Sequence, residues 1–191
     1  WTGIDALVHA IEAYVINDFH PLCDGAAIEG LRLIYPNLPI VYENGDDLSS
    51  RGKMLVGSCL AGISFLKGLG FVHAISHMIG AEFDTQHGLT NAIILPSVLR
   101  YNKDSLGTKI PIMCEAMGIK KNNFEYFYQS ICDLLDKLEI PKNLSEIGVD
   151  DTTIERIAKK AMKDSAFSTN PKTASLKDMM GLIEITIHNG R

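Results

Sequence analysis

The stretch around which this chain is organised is GLGFVHAISHMIGAEFDTQHGLTNAIILP, residues 68–96. It contains three of the six histidines, His73, His77 and His87, within otherwise apolar sequence. A neutral imidazole in an apolar environment needs a hydrogen-bond partner or a metal ion. Because His73 and His77 are four residues apart, they project from one helical face, one turn apart. This density of histidines predicts a metal site.

A second pair of metal-binding residue types opens the chain. Asp5 and His9 again have the i, i+4 spacing that places two side chains on one helical face. Together with His73 and His87 they would form a mixed oxygen and nitrogen site, which suits divalent zinc, iron or manganese. Such a pair is more often a surface helix interaction, and a buried histidine can simply be a hydrogen-bonded core residue. The residues alone therefore leave both interpretations open.

The predicted ligand set has a definite chemistry. One carboxylate and three neutral imidazoles leave a divalent ion with net positive charge and room for a substrate, so it would act as a Lewis acid toward an alcohol oxygen. A hydride acceptor is then required. His77 would lie beside the ion, where it could relay a proton or contact the cofactor.

Composition excludes several other classes. The chain has 191 residues, is 46% hydrophobic and carries a formal net charge of −5 without clustered Lys and Arg, so nucleic acid is not an expected partner. No apolar run is long enough to span a membrane. The cysteines are widely spaced and lack a CxxC pair, which favours reduced thiols in a cytoplasmic protein. They are Cys23, Cys59, Cys114 and Cys132.

Hydrophobic periodicity predicts an all-α, bundle-like domain of roughly eight to ten helices. Pro36 and Pro39 are expected to kink or end the second helix, and Pro96 to kink the apolar run after His87. The third helix, rich in small residues, is expected to pack centrally, and Gly80 is expected to end the histidine helix. Two capping boxes are predicted, Thr152 with Glu155 and Ser175 with Asp178.

Three segments together resemble the iron-containing (group III) alcohol dehydrogenase family. They are TGIDALVHAIE (residues 2–12), GLGFVHAISH (68–77) and HGLTNAIILP (87–96). The resemblance implies that Asp5, His9, His73 and His87 are the metal ligands, and that His77 lies near the nicotinamide and the substrate. Many members have proline after this last histidine, whereas this chain has Met78.

The resemblance also implies the architecture and the reaction. Residues 1–191 would be the helical metal-binding catalytic domain, of the kind found in dehydroquinate synthase and iron alcohol dehydrogenases, without the amino-terminal nucleotide-binding domain. The activity would be NAD(P)-dependent oxidation of an alcohol or reduction of an aldehyde, with Fe²⁺ expected and Zn²⁺ as the alternative. Residues 68–73 match a GxGxxG phosphate loop poorly, so the isolated chain is expected to bind metal but to lack dehydrogenase activity. A homo-oligomer is compatible with an apolar face left by a missing domain.

Other functions make different demands on the sequence. A metal-dependent phosphohydrolase requires an adjacent His-Asp dyad and a di-iron bundle requires paired Glu-x-x-His motifs, and neither occurs here. A zinc-dependent glycerol dehydrogenase or dehydroquinate synthase-like enzyme remains an alternative. So does a non-catalytic helical interaction module in which the histidines are core residues.

Overall fold

The computed structural model describes all 191 residues and is built from nine α-helices and four short 3-10 turns, with no β-strand. The helices are α1 (Thr2–Val15), α2 (Pro21–Glu43), α3 (Leu48–Ser64), α4 (Phe71–Phe83), α5 (His87–Leu106), α6 (Lys109–Met117), α7 (Phe124–Lys137), α8 (Ile154–Ala161) and α9 (Leu176–His188). The 3-10 turns are Phe65–Lys67, Leu144–Ile147, Asp151–Thr153 and Ser165–Phe167. The prediction of an all-α fold is confirmed.

Helix α1 lies at the centre of the molecule. Ten of its 14 residues are buried, and it packs against α2, α3 and α5. A helix that is apolar on nearly every side is stable only when other elements surround it. The central position that we predicted for α3 is wrong, because only Ser50, Gly57, Ala61 and Ser64 are buried there.

The small residues of α3 nevertheless allow this helix to approach α2 closely. A Cβ at Gly57 would lie 2.8 Å from the side chain of Ile34 on α2. Glycine at this position therefore lets α2 and α3 pack against each other along one face. The rest of α3, including Leu55 and Val56, is exposed.

Helix α2 continues through both Pro36 and Pro39, so neither proline ends it. Each interior proline removes a helical hydrogen bond and costs about 3 kcal/mol. Ile34 and Leu38 lie on either side of Pro36 and are both buried in the core. Burying such side chains stabilises the helix by about 1.5–3 kcal/mol each, which offsets the cost.

Helix α4 carries His73 and His77, helix α5 begins at His87, and a short turn joins the two helices. Helix α4 continues past Gly80, which is therefore not its cap, and ends at Asp84 in the left-handed conformation (φ 52°). Helix α5 begins at His87, and the side chain of Gln86 caps it by accepting the backbone N–H of Leu89 at 2.7 Å. It runs through Pro96 without ending there.

Of the two predicted capping boxes, one is present. Ser175 and Asp178 cap α9 reciprocally, as predicted. Thr152 and Glu155 do not cap α8, because Asp150 caps a 3-10 turn and α8 begins only at Ile154.

Two further expectations concern cysteines and membranes. All four cysteines are unpaired, and three of them are buried. No helix alone combines the length and apolar character needed to cross a bilayer; residues 48–67 and 71–83 would do so only as a pair, bent by 102°.

Candidate metal centre

Helix α1 places Asp5 and His9 one turn apart, as their spacing predicts. Asp5 Oδ2 and His9 Nδ1 are 3.9 Å apart. Both side chains are about one-fifth exposed, so they lie at the edge of the core. The ring of His9 stacks on that of His73 from α4, with centroids 4.6 Å apart.

Asp5 is the point at which three helices meet. Its Oδ1 lies 3.6 Å from Nε2 of His73 on α4 and 3.5 Å from Nε2 of His87 at the start of α5. His73 is 1% exposed and His87 41% exposed, so the cluster runs from the core to the surface. The four residues singled out in the sequence are thus brought together from three separate helices.

The four do not contribute equally to the cluster. Asp5, His9 and His73 form a tight group, in which one ligand atom from each lies within 4.8 Å of the others. His87 is not part of that tight group and borders it on the exposed side. A carboxylate and two imidazoles with a third imidazole beside them match the donor preferences of zinc and iron.

Asn91, four residues after His87 on α5, lies among the ligand atoms and was missed in the sequence analysis. Its Nδ2 donates to Asp5 Oδ1 at 2.7 Å and lies 3.2 Å from His73 Nε2 and 3.0 Å from His87 Nε2. Its Oδ1 is buried without a hydrogen-bond partner. When both Nε2 atoms are unprotonated, three acceptors surround an amide with two hydrogens, so one lone pair stays unsatisfied. A divalent cation that displaced the His73 proton would take up this lone pair.

The electrostatics of the cluster are strongly perturbed. Burial opposes ionisation of Asp5, but the hydrogen bond to His73 and the charge of His9 outweigh it and lower the Asp5 pKa to about 2. Burial would also lower the pKa of His73, but Asp5 and Glu12 outweigh it and raise this pKa to about 9. Burial lowers the pKa of His9 to about 4 and also lowers the pKa of His87. At neutral pH Asp5 is therefore an anion and His9 is neutral, as metal ligands must be, whereas His73 carries a proton that a metal ion would have to displace.

His77 lies beside this group rather than within it. Its ring stacks on that of His87 at 5.5 Å and is 5.8 Å from that of His73. Its Nδ1 is 2.9 Å from Oδ2 of Asp164, which lies in the connection after α8. Nothing in the sequence pointed to Asp164, because the contact spans 87 positions.

Glu12 is a second residue that was missed, although its spacing could have revealed it. It follows Asp5 by seven residues and His9 by three, on the same face of α1, and a charged residue in so apolar a helix requires a partner. The partner is His73, whose Nδ1 lies 2.7 Å from Glu12 Oε2.

Comparison with known proteins places this chain in a family. The family model described as "Fe-containing alcohol dehydrogenase family, C-terminal" matches residues 1–187. The probable alcohol dehydrogenase EutG of Escherichia coli is 36% identical over 95% of this chain and 46% of its own length. The 1,3-propanediol dehydrogenase of Citrobacter freundii is 36% identical over 93% of this chain and 48% of its own. The NAD-dependent methanol dehydrogenase of Bacillus methanolicus is 33% identical over 96% and 50%.

Solved structures agree with the sequence comparison. The structure of a 1,3-propanediol oxidoreductase superposes with a TM-score of 0.92 at 34% identity, over 97% of this chain and 50% of that one. An alcohol dehydrogenase from Oenococcus oeni gives a TM-score of 0.90 at 29% identity, over 96% and 50%. The chain spans about half the length of these relatives. Because the family model covers nearly the whole sequence, the chain belongs to the Fe-containing alcohol dehydrogenase family and corresponds to its C-terminal part.

Proposed function

We propose that residues 1–191 form the metal-binding domain of a metal-dependent alcohol dehydrogenase. In this proposal Asp5, His9, His73 and His87 hold a divalent cation, with Fe²⁺ expected from the family and Zn²⁺ as the alternative. The substrate is a small alcohol or the corresponding aldehyde, and the hydride acceptor is NAD or NADP. One relative is named as an NAD-dependent enzyme, which supports the nicotinamide cofactor.

The observation that carries the proposal is the convergence on Asp5. Residues separated by 68 and 82 positions bring their Nε2 atoms to within 3.6 and 3.5 Å of one carboxylate oxygen. A histidine that serves only as a core residue needs one or two hydrogen-bond partners, which are normally found nearby. Four ligand side chains that face one another from three helices are better explained by a cation than by core packing.

The chain's own residues have separate tasks in this reaction. A bound divalent ion supplies Lewis acidity that polarises the alcohol oxygen for hydride loss. Asp5 contributes the negative charge that favours cation binding at the edge of the core. Asp164 holds Nδ1 of His77 through their 2.9 Å contact and thereby orients the ring for a role in proton relay or cofactor contact.

The open side of the centre is where the substrate and the cofactor would enter. His77 borders a surface depression of about 240 Å³ that is also lined by Phe65, Leu69 and Thr169. Its mixed polar and apolar lining suits a small alcohol. Residues that bind the nucleotide would lie largely outside these 191 residues, in keeping with the half-length match to the relatives. The unpaired cysteines support a cytoplasmic location as part of the same proposal.

Metal titration of the purified chain tests the proposal. We expect one Fe²⁺ or Zn²⁺ per chain by calorimetry and elemental analysis, and loss of that binding in Asp5→Asn and His73→Asn. His188→Asn is the matched control, because this exposed histidine on α9 pairs with Asp151 outside the cluster. Equal metal content in wild type and both cluster variants would refute the assignment and would favour the interaction-module alternative.

A second measurement separates iron from zinc. Anomalous scattering at the two absorption edges, on protein purified without oxygen, identifies the ion that occupies the site. A zinc signal alone would support the glycerol dehydrogenase-like alternative, whereas an iron signal supports the proposal as stated.

A further inference from the structure

Glu12 has a buried carboxylate and is not one of the four proposed metal ligands. It is 4% exposed, lies on the most buried helix of the molecule and has its side chain directed toward the start of α4. Its Oε1 accepts the backbone N–H of Val72 at 2.8 Å. Its Oε2 lies 2.7 Å from Nδ1 of His73 and 3.4 Å from the backbone nitrogen of the same residue. A buried charge persists only when it is paired in this way.

The N-terminus of α4 is held by two remote side chains that have different partners. Asn170 Oδ1 accepts the backbone N–H of Phe71 at 3.2 Å, and Glu12 accepts that of Val72. A Cβ at Gly70 would lie 2.7 Å from Glu12 Oε1 and 2.8 Å from Asn170 Oδ1, so only glycine admits both. Of the two capping side chains, only Glu12 also contacts the His73 ring.

We propose that Glu12 is a positioning residue for the metal centre, which fixes the Nδ1 proton of His73 and thereby leaves Nε2 free to face Asp5. The inference rests on the proposed function in that it takes His73 as a ligand. A carboxylate near Nδ1 accepts that N–H, so the lone pair of the neutral ring is confined to Nε2. Nε2 is the atom that lies 3.6 Å from Asp5 Oδ1.

Glutamine cannot replace Glu12 in this role, although it has the same shape. If its carbonyl oxygen accepts the Val72 N–H, its NH₂ group faces His73 Nδ1, and the ring must then carry its proton on Nε2. If the amide is reversed, its NH₂ group faces the Val72 N–H, and two donors oppose each other. Either arrangement works against His73 as a ligand, while the packing of α1 against α4 is preserved.

The test compares Glu12→Gln with Asn170→Ala in the 191-residue chain. Both variants weaken the cap of α4, but only the first alters the partner of the His73 ring. We expect Glu12→Gln to lower Zn²⁺ affinity by about 10–100-fold, the usual effect of losing such an outer partner. We expect Asn170→Ala to lower the melting temperature and to change Zn²⁺ affinity by less than about threefold. Equal loss of affinity in the two variants, or none in Glu12→Gln, would overturn the proposal.

A spectroscopic readout does not depend on whether Glu12→Gln folds. In the Zn²⁺-loaded wild-type chain with ¹⁵N-labelled histidine, we expect His73 to carry its proton on Nδ1 and to show a slowly exchanging imidazole N–H resonance. Coordination through Nδ1 would contradict the inference. If the wild-type chain bound no metal, the proposed function would fail instead, and the resonance in the metal-free chain would still show whether Glu12 holds the Nδ1 proton.

Discussion

Substitution of Gly88 by alanine tests the geometry of the metal centre most directly. Gly88 follows His87 in the first turn of α5, and a Cβ there would lie 2.5 Å from the backbone oxygen of Trp1 and 3.2 Å from Cβ of Asp5. That oxygen accepts the backbone N–H of Asp5 at 3.0 Å, so it cannot turn away without opening the first turn of α1. To reach 3.4 Å, the two backbones must separate by about 0.9 Å.

The magnitude of the effect follows from that separation. Overpacking of this kind costs about 1–3 kcal/mol, and we expect the free energy of unfolding of Gly88→Ala to fall by about 2 kcal/mol. The displacement lies between Asp5 and His87, whose Oδ1 and Nε2 atoms are 3.5 Å apart, so we also expect Zn²⁺ affinity to fall about tenfold.

Urea denaturation of the metal-free chain and Zn²⁺ calorimetry measure the two effects separately. Gly52→Ala is the matched control, because Gly52 lies in α3 and a Cβ added there would have no neighbour within 4 Å, and we expect it to gain about 0.5–1 kcal/mol. If Gly88→Ala bound Zn²⁺ as tightly as wild type and were equally stable, the close approach of α1 and α5 would not be what holds Asp5 near His87.

Three further substitutions test other parts of the molecule. His77→Asn in the intact enzyme should keep its metal content by elemental analysis but lower kcat by about a hundredfold or more, because His77 is proposed to move protons rather than to bind the ion. Hydrogen bonds from Arg156 and Lys160 lower the pKa of Glu82 to about 2, so their stabilising effect is complete above pH 4.5 and is lost as the pH falls toward 2. The difference in melting temperature between wild type and Glu82→Gln should shrink over that range, whereas a constant difference would contradict the ion-pair explanation. Phe71→Ala should cost about 3–5 kcal/mol in urea denaturation, since this ring is fully buried and stacks on Phe167 at 5.0 Å.

The helical content was predictable because it depends on local periodicity, but the helix ends often were not. Pro36 was expected to kink or end α2, yet the helix does not end there, and Ile34 and Leu38 around it are buried. Gly80 was expected to end α4, yet the helix continues to Phe83. In each case tertiary packing outweighed a local preference, and the pattern of one segment does not show what packs against it.

Spacing alone placed Asp5 with His9 on one helical face and left the metal site open, and the family resemblance supplied the full set of candidate ligands. Their surroundings were harder to predict. Glu12 and Asn91 share helical faces with the ligands, but their contacts span 61 and 86 positions. Asp164 has no such spacing, since it reaches His77 from an irregular connection. Residues that orient other side chains depend on how the helices dock, which local patterns do not specify.

The exposed fraction of the side chain rises across the candidate metal centre from 1% at His73 to 41% at His87. We call the buried end at His73 the floor of the centre and the exposed end at His87 its mouth. The floor is shared with the hydrophobic core, so a change there alters folding and cation binding together. His77 and Phe65, which border the mouth, are partly exposed, so substitutions there should have small effects on the stability of the fold. Under the proposed function, residues that adapt the site to a different alcohol would therefore be found at the mouth, while the floor tolerates few substitutions.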